Sequence, residues 1–407
     1  MNRPPLRSLD DALQALLAQA RPLPDVEVVS TFDADGRVLA EDLVSALQVP
    51  PQDNSSMDGY ALRSAEIADE GVVLPVSQRI PAGSAGQPLQ PGTAARIFTG
   101  APVPEGADAI VMQEDTEDLG DGRVRICRVP AKGQWVRRSG EDITRGSTVL
   151  ARGDRLGPAS LGLAASIGMD RLQVGRRPRV ALFSTGDELV MPGEVPPEAM
   201  PAGAIYNSNR FFLRSLLLRL GCEVLDFGIV PDQRDATVEA LRRAAADNDL
   251  ILTSGGVSVG EEDHIKPAVQ QLGTLDLWQI AMKPGKPFAH GRIGEAHFIG
   301  LPGNPVSSFV TFLLLVRPFL LKLQGATCPT PQAVQMRAGF DWPRPDRRRE
   351  FLRVRRDGSG GLELFPNQSS GVLTSAVWAD GLVDVPAGHT FAQGDMVPFL
   401  PLSELLA

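Results

Sequence analysis

Between Arg179 and Leu323 short apolar runs alternate with amphipathic segments, and no other feature of the chain restricts its fold as much. Val180 to Phe183 reads as a strand, Asn207 to Leu220 as an amphipathic helix, and Glu223 to Phe227 as a strand. Thr237 to Ala246 reads as a helix capped by Asp235, and Leu250 to Leu252 as a buried strand. A helix near Ile265 to Leu272, strands near Leu277 and His297, and a last helix from Val306 to Leu323 complete the series. This alternation predicts an open, mostly parallel α/β sheet. Ligands of such sheets bind beyond the carboxyl ends of the strands. The loops after Phe183, Thr253, Ile280 and Ile299 are therefore where function is expected.

At 407 residues the chain is too long for that sheet alone. Ser8 starts a helix with Leu9, Ala12, Leu13, Leu16, Leu17 and Ala20 at helical spacing, and Ser8 with Asp11 resembles a capping box. From Val72 to Leu150, short apolar runs (Ala94–Phe98, Ala109–Met112, Val124–Val129) alternate with Gly/Pro turns, as in a small all-β module. After Cys328 the chain is strand-like again at Glu350–Val354, Leu362–Phe365 and Met396–Leu400. The expected organisation is an α/β and β multidomain protein. An N-terminal mixed domain (1–50 and 140–177) carries an inserted small β domain (51–139). The α/β domain (178–326) and a C-terminal β domain (327–407) follow.

Composition excludes several classes. A net charge of −9 argues against a nucleic-acid backbone as partner. Cys127, Cys222 and Cys328 form no CxxC pair, and His264, His290, His297 and His389 show no ligand spacing. The apolar run Phe309 to Val316 is too short to span a bilayer, and the N-terminus lacks a signal peptide's apolar core. A cytoplasmic protein with no membrane partner is the expectation.

The strand-end loops carry the chemistry. DLILTSGGVSVGEEDHIK runs from a strand into Ser254, Gly255, Gly256, Ser258 and Gly260, then three carboxylates ending at Asp263. Glycine admits the backbone turns in which successive N–H groups cradle an anion. Carboxylates beside such a cradle make sense if a cation bridges them to a phosphate. STGDEL brings Asp187 and Glu188, and MKPGKP brings Lys283 and Lys286. GLPGNPVSS places Pro302, Asn304, Pro305, Ser307 and Ser308 at a helix N-terminus, a natural anion site. Glu188, Asp232 and Asp263 are the candidates to hold Mg²⁺, which shares its shell between carboxylates and phosphate oxygens. Upstream, DNSSMDGYAL and VRRSGEDI are polar stretches that singly read as turns. Motifs for a P-loop, a Rossmann dinucleotide site and an α/β-hydrolase nucleophile are absent.

Taken together, NSSMDGY, IFTGAPVPEGADAIVMQED, VRRSGEDI, FSTGDEL, TSGGVSVGEEDHIK, MKPGKP and GLPGNPVS resemble the molybdopterin molybdenumtransferase family, which includes the catalytic domain of gephyrin. The resemblance implies a homodimer with active sites between subunits, dimerised through the N-terminal domain. It implies molybdate and adenylated molybdopterin as substrates, Mg²⁺ as cofactor, and AMP as a product. Molybdopterin adenylyltransferase and molybdoenzyme apoproteins or carriers are the implied partners. Matching positions make Asp58, Asp142, Glu188 and Asp263 the catalytic candidates. Thr99, Lys283, Lys286, Ser307, Arg353 and Ser370 are the matching binding candidates. Gly371 stands where relatives often carry a basic or polar group. The competing readings are an adenylyltransferase, which shares only the central region, and a non-catalytic scaffold.

Overall fold

The computed structural model describes residues 6–256 and 264–406. The six strands of the central sheet lie in the order Glu223–Val230, Arg179–Thr185, Leu250–Ser254, Ala296–Leu301, Pro287–Ile293, Gly273–Gln279. The first four are parallel and the last two pairings antiparallel. Successive side chains point to opposite faces of a strand, and both faces here are apolar. Val180, Leu182, Leu250 and Leu252 join one core with Leu213, Leu217, Val310 and Phe319. Ala181, Phe183 and Ile251 join a second with Leu241, Ile265 and Val269. Burial on both faces is why these strands read as continuous apolar runs.

The strand Pro287–Ile293 is absent from the sequence expectation. It turns back through Gly294 and Glu295, with Ile293 paired to Ala296, and its Gly and His residues give no clean alternation. The last helix runs Pro305–Thr311, widens to π geometry over Phe312–Val316, and ends at Leu323. Its length and hydropathy would suit a bilayer, but 89% of its apolar stretch is buried inside the protein. It is a core helix. The first helix, Leu9–Gln19, packs into the same core and starts as expected: the Ser8 hydroxyl accepts from the Asp11 N–H at 3.0 Å and donates to its carboxylate at 2.7 Å.

Three short antiparallel pairs tie the upstream chain together: Val26–Ser30 with Arg171–Gly175, Leu43–Val44 with Thr148–Leu150, and Asn54–Ser55 with Val136–Arg137. Between them lies a six-stranded sheet, ordered Ala109–Met112, Gly59–Leu62, Ala94–Ile97, Val73–Ile80, Arg123–Ile126, Thr116–Asp118. Its strand Gly59–Leu62 falls where the sequence suggested a polar turn. Gly59 is needed for packing: a Cβ there would lie 2.0 Å from the Val111 carbonyl oxygen. In the C-terminal region, strands Arg349–Arg356, Gly361–Leu364, Val334–Ala338, Met396–Pro401 and Gly381–Val385 pair in that order. Pairing of Arg349–Arg356 with Gly381–Val385 then closes the ring.

His290 and His297 lie side by side in the central core, ring centroids 5.8 Å apart, with Phe319 4.9 Å from His297. Burial, reinforced by Arg292, pushes both imidazoles down to about 4. A base whose folded pKa is depressed adds stability above its unfolded value, near 6.5, and loses it as pH falls toward the folded value. Thermal stability is therefore expected to drop between pH 6.5 and 5, by at most about 2 kcal/mol per ring. The double variant His290→Gln/His297→Gln should flatten that slope, whatever its absolute stability. An unchanged slope in pH-scanned thermal melts would show that other groups set it.

Candidate active site

Three neighbouring parallel strands end at one level, because Ser184 pairs with Ser254 and Ser254 with Leu301. The loops that follow enclose a cleft of about 440 Å³. Of the sequence-derived candidates, Glu188, Ser254, Gly255, Pro302, Asn304, Pro305 and Ser307 line it. Gly256 lies just behind Gly255 at φ +66°, where a Cβ would come within 2.6 Å of Ile265 and 2.8 Å of the Thr185 hydroxyl. Only glycine fits that approach. Ser258 and Asp263 lie outside the described residues.

The floor is the start of the long core helix. Pro305 takes its first position, where a missing N–H costs nothing. Asn304 precedes it without making a side-chain cap bond, so its carboxamide is left for other partners. The Val306 N–H donates to the Ser370 carbonyl at 2.9 Å, which docks the C-terminal region against the same helix end. The unpaired first-turn N–H groups of a helix favour an anion.

One wall was not anticipated from sequence. Tyr206, Asn207, Ser208 and Asn209 all line the cleft. The Asn209 Nδ2 donates to the Ser254 hydroxyl and to the Gly303 carbonyl, both at 2.7 Å. Asn207 is buried; its Oδ1 accepts from the Arg210 N–H at 3.2 Å, while its Nδ2 has no partner. Asn-Ser-Asn ahead of an amphipathic helix looks like capping chemistry, yet Ser208 makes no side-chain cap bond. Three consecutive cap-type residues are more than one cap requires, and that surplus was the available signal.

The cationic candidates differ sharply. Lys283 sits in a short strand, Met282–Lys283, that pairs with Arg349–Glu350 and so belongs to the C-terminal sheet. Its ammonium lies 2.7 Å from the buried Glu350 carboxylate and 3.6 Å from Asp346. Trp342 Nε1 holds the other Glu350 oxygen at 2.9 Å. Lys286 makes no ion pair among the described residues, and neither lysine lines the cleft. Arg353 is 2% exposed and donates to the Phe351 carbonyl, the Ser375 hydroxyl and the Ser369 carbonyl. Among the described residues no carboxylate pairs with it, and burial pushes its guanidinium down to about 10. It stays charged at neutral pH, next to the Ser369–Ser370 backbone that meets the helix start.

Asp58 and Thr99 come together in the upstream sheet: one Asp58 oxygen accepts from the Thr99 N–H and hydroxyl, both at 2.8 Å. These bonds, the N–H first, hold the Asp58 carboxyl below its usual range. Asp142 is exposed, with its N–H donating to the Val49 carbonyl at 3.0 Å. Nearby, Arg138 pairs with Asp53 at 2.6 Å. None of these upstream residues lines the cleft of its own chain.

Asp232 lies two residues past the neighbouring strand Glu223–Val230, and its N–H donates to the Asp187 carboxylate at 3.5 Å. Among the described residues no cluster of three metal-binding side chains exists. Mg²⁺ rarely uses such a cage, taking one or two carboxylates plus substrate phosphate oxygens. Glu188, which lines the cleft, with Asp187 beside it in the same loop and Asp232 just past the end of the adjacent strand, fits that hard-oxygen donor set.

Comparison with known proteins agrees with this geometry. Residues 7–168 match the family described as MoeA N-terminal region (domain I and II). Residues 181–322 match the probable molybdopterin binding domain, and 335–402 the MoeA C-terminal region (domain IV). The molybdopterin molybdenumtransferase of Haemophilus influenzae is 43% identical over 320 residues, 78% of each chain. That of Nostoc is 37% identical over 383 residues, 90% of this chain and 86% of its own. The crystal structure of a molybdopterin biosynthesis moeA protein from Pyrococcus horikoshii superposes with a TM-score of 0.83 at 28% identity, covering 98% of this chain and 100% of that one. With matches running through every sheet and through the loops of the cleft, the chain belongs to the molybdopterin molybdenumtransferase family.

Proposed function

We propose that this chain is a transferase that inserts molybdate into adenylated molybdopterin and releases AMP. The observation that carries this reading is the convergence of three strand-end loops on one cleft, with a buried arginine, paired with no carboxylate among the described residues, beside the Ser369–Ser370 backbone that meets its helix floor. Such a place suits a phosphorylated heterocycle beside an oxyanion. The TSGG and LPGNP backbones and the Ser307 hydroxyl would bind and orient phosphate. Arg353 and Lys286 would meet the molybdate dianion, and Lys283 would join them only by leaving Glu350. Charge that develops on the phosphate oxygens as the anhydride breaks is stabilised best by donors already in place. Glu188 and Asp232 would hold Mg²⁺, which supplies electrostatic stabilisation of that charge when bound. Under this reading the enzyme is a cytoplasmic homodimer. An apolar face supports a second copy: Phe32 is 94% exposed, with Val26 and Val28 about half exposed beside it on the same strand and turn.

The test is AMP release from adenylated molybdopterin with Mg²⁺, with and without molybdate. Molybdate-dependent AMP is the expected result. Formation of pyrophosphate from ATP and unadenylated molybdopterin would instead indicate an adenylyltransferase. Binding of the pterin with neither product would leave the scaffold reading standing.

A further inference from the structure

We infer that Asn209 is a positioning residue for this site: its carboxamide clamps the two glycine-containing anion loops into one surface. The inference rests on the proposed function for the identity of the ligand, but not for the geometry. Ser254 ends one strand and Gly303 lies in the loop after its neighbour, so their backbones are not joined by the sheet ladder beyond the Ser254–Leu301 pair. Gly255 adds one further tie, its N–H donating to the Leu301 carbonyl at 3.1 Å. Past that point the two loops are held by a third element. Asn209, first residue of the helix Asn209–Arg219, sends both hydrogens of one NH₂ group to them, each at 2.7 Å.

The chemistry of the pair matters. A primary amide has two hydrogens in a rigid plane, so one side chain can fix two acceptors at a set separation. Donation to the Ser254 hydroxyl occupies an oxygen lone pair and leaves the Ser254 hydrogen free to point toward the cleft, which Ser254 lines. Donation to the Gly303 carbonyl fixes the peptide plane before Asn304 and Pro305, where the long helix begins. Asn209 is itself about nine-tenths buried, so its bonds form in a dry setting where loss of a partner is costly. Its role is thus to hold a hydroxyl donor and a helix N-terminus at one fixed spacing, as a phosphate with several oxygens requires.

The experiment is a double-mutant cycle on the full chain, using Asn209→Ala, Ser254→Ala and the pair. Two quantities are read: KM and kcat for AMP release, and equilibrium binding of adenylated molybdopterin without molybdate, followed by the pterin's own fluorescence. Asn209→Ala should raise KM and weaken binding by roughly tenfold or more, the loss expected for two buried hydrogen bonds. In the Ser254→Ala background the same change should cost clearly less, because part of its target is gone. If Asn209→Ala does not fold, Asn209→Ser keeps a helix-start residue too short to reach both acceptors, and is read the same way. A lowered melting temperature with unchanged KM and binding would make Asn209 merely structural and overturn the inference. Strict additivity with Ser254→Ala would do so too. If the wild type binds the pterin but releases no AMP, the proposed function fails, while the binding cycle still tests the clamp.

Discussion

Arg353→Met should leave the fold at least as stable as the wild type, and should raise the molybdate concentration for half-maximal AMP release by about a hundredfold. The two effects have opposite signs for one reason. A charge taken out of water costs several kcal/mol even after relaxation, and that cost is recovered only if a counter-ion and good hydrogen bonds are present. Arg353 has the hydrogen bonds but, among the described residues, no carboxylate. Burial is the sole cause of its lowered pKa, whereas the Arg349 guanidinium, four residues earlier on the same strand, is raised by Asp384. Arg349 is thus held in an ion pair, whereas Arg353 has no carboxylate among the described residues, and under the proposed function its charge would face molybdate. Methionine fills a similar volume without a charge to desolvate. Melting curves and molybdate titrations of the same preparation decide the matter. A variant that is clearly less stable, with wild-type molybdate dependence, would make Arg353 a structural residue.

How much of this was legible in the sequence depends on the range of the interaction. The central sheet was, because Val180–Phe183 and Leu250–Leu252 face two cores and so read as unbroken apolar runs. The loops at their ends followed from topology, and Glu188, Ser254, Asn304 and Ser307 do converge. Gly59–Leu62 was not: an Asp-Gly pair signals a turn locally, while the need for a bare backbone against Val111 arises from a strand far along the chain. Lys283 was equally opaque. Its partner Glu350 is 67 positions away, and a KPGKP turn gives no hint that it forms an edge strand of another sheet. Asn209 was hidden differently, since its residue type has a common local use, and only the distances to Ser254 and Gly303 reveal the other one.

Mixing subunits should recover activity that neither variant has alone. Among the described residues the cleft is lined by those between Thr185 and Ser307, whereas Asp58 and Thr99 flank strands of the upstream sheet. Among the described residues that sheet contributes nothing to the cleft of its own chain, and under the proposed homodimer Asp58 would reach it from a second copy, across a two-fold interface that builds two identical sites. The expected outcome follows by counting. Asp58→Ala and Glu188→Ala subunits are each expected to be nearly inactive as homodimers. In their heterodimer, one site combines an intact Glu188 with an intact Asp58 from the partner, and the other carries both lesions. About half of the wild-type activity per dimer should therefore return. Differently tagged subunits, co-expressed and purified through both tags, give the heterodimer free of the parents, and AMP release measures it. Were Asp58 to serve the cleft of its own chain through a domain movement, each heterodimer site would carry one lesion and activity would stay at the level of the parents. Asp58→Asn sharpens the result. The Thr99 N–H and hydroxyl both donate to one carboxylate oxygen, so the amide oxygen of Asn can accept both bonds while the charge is removed. Loss of activity in that variant, rescued in the same heterodimer, would tie the trans contribution to the negative charge and not to the fold of the upstream sheet.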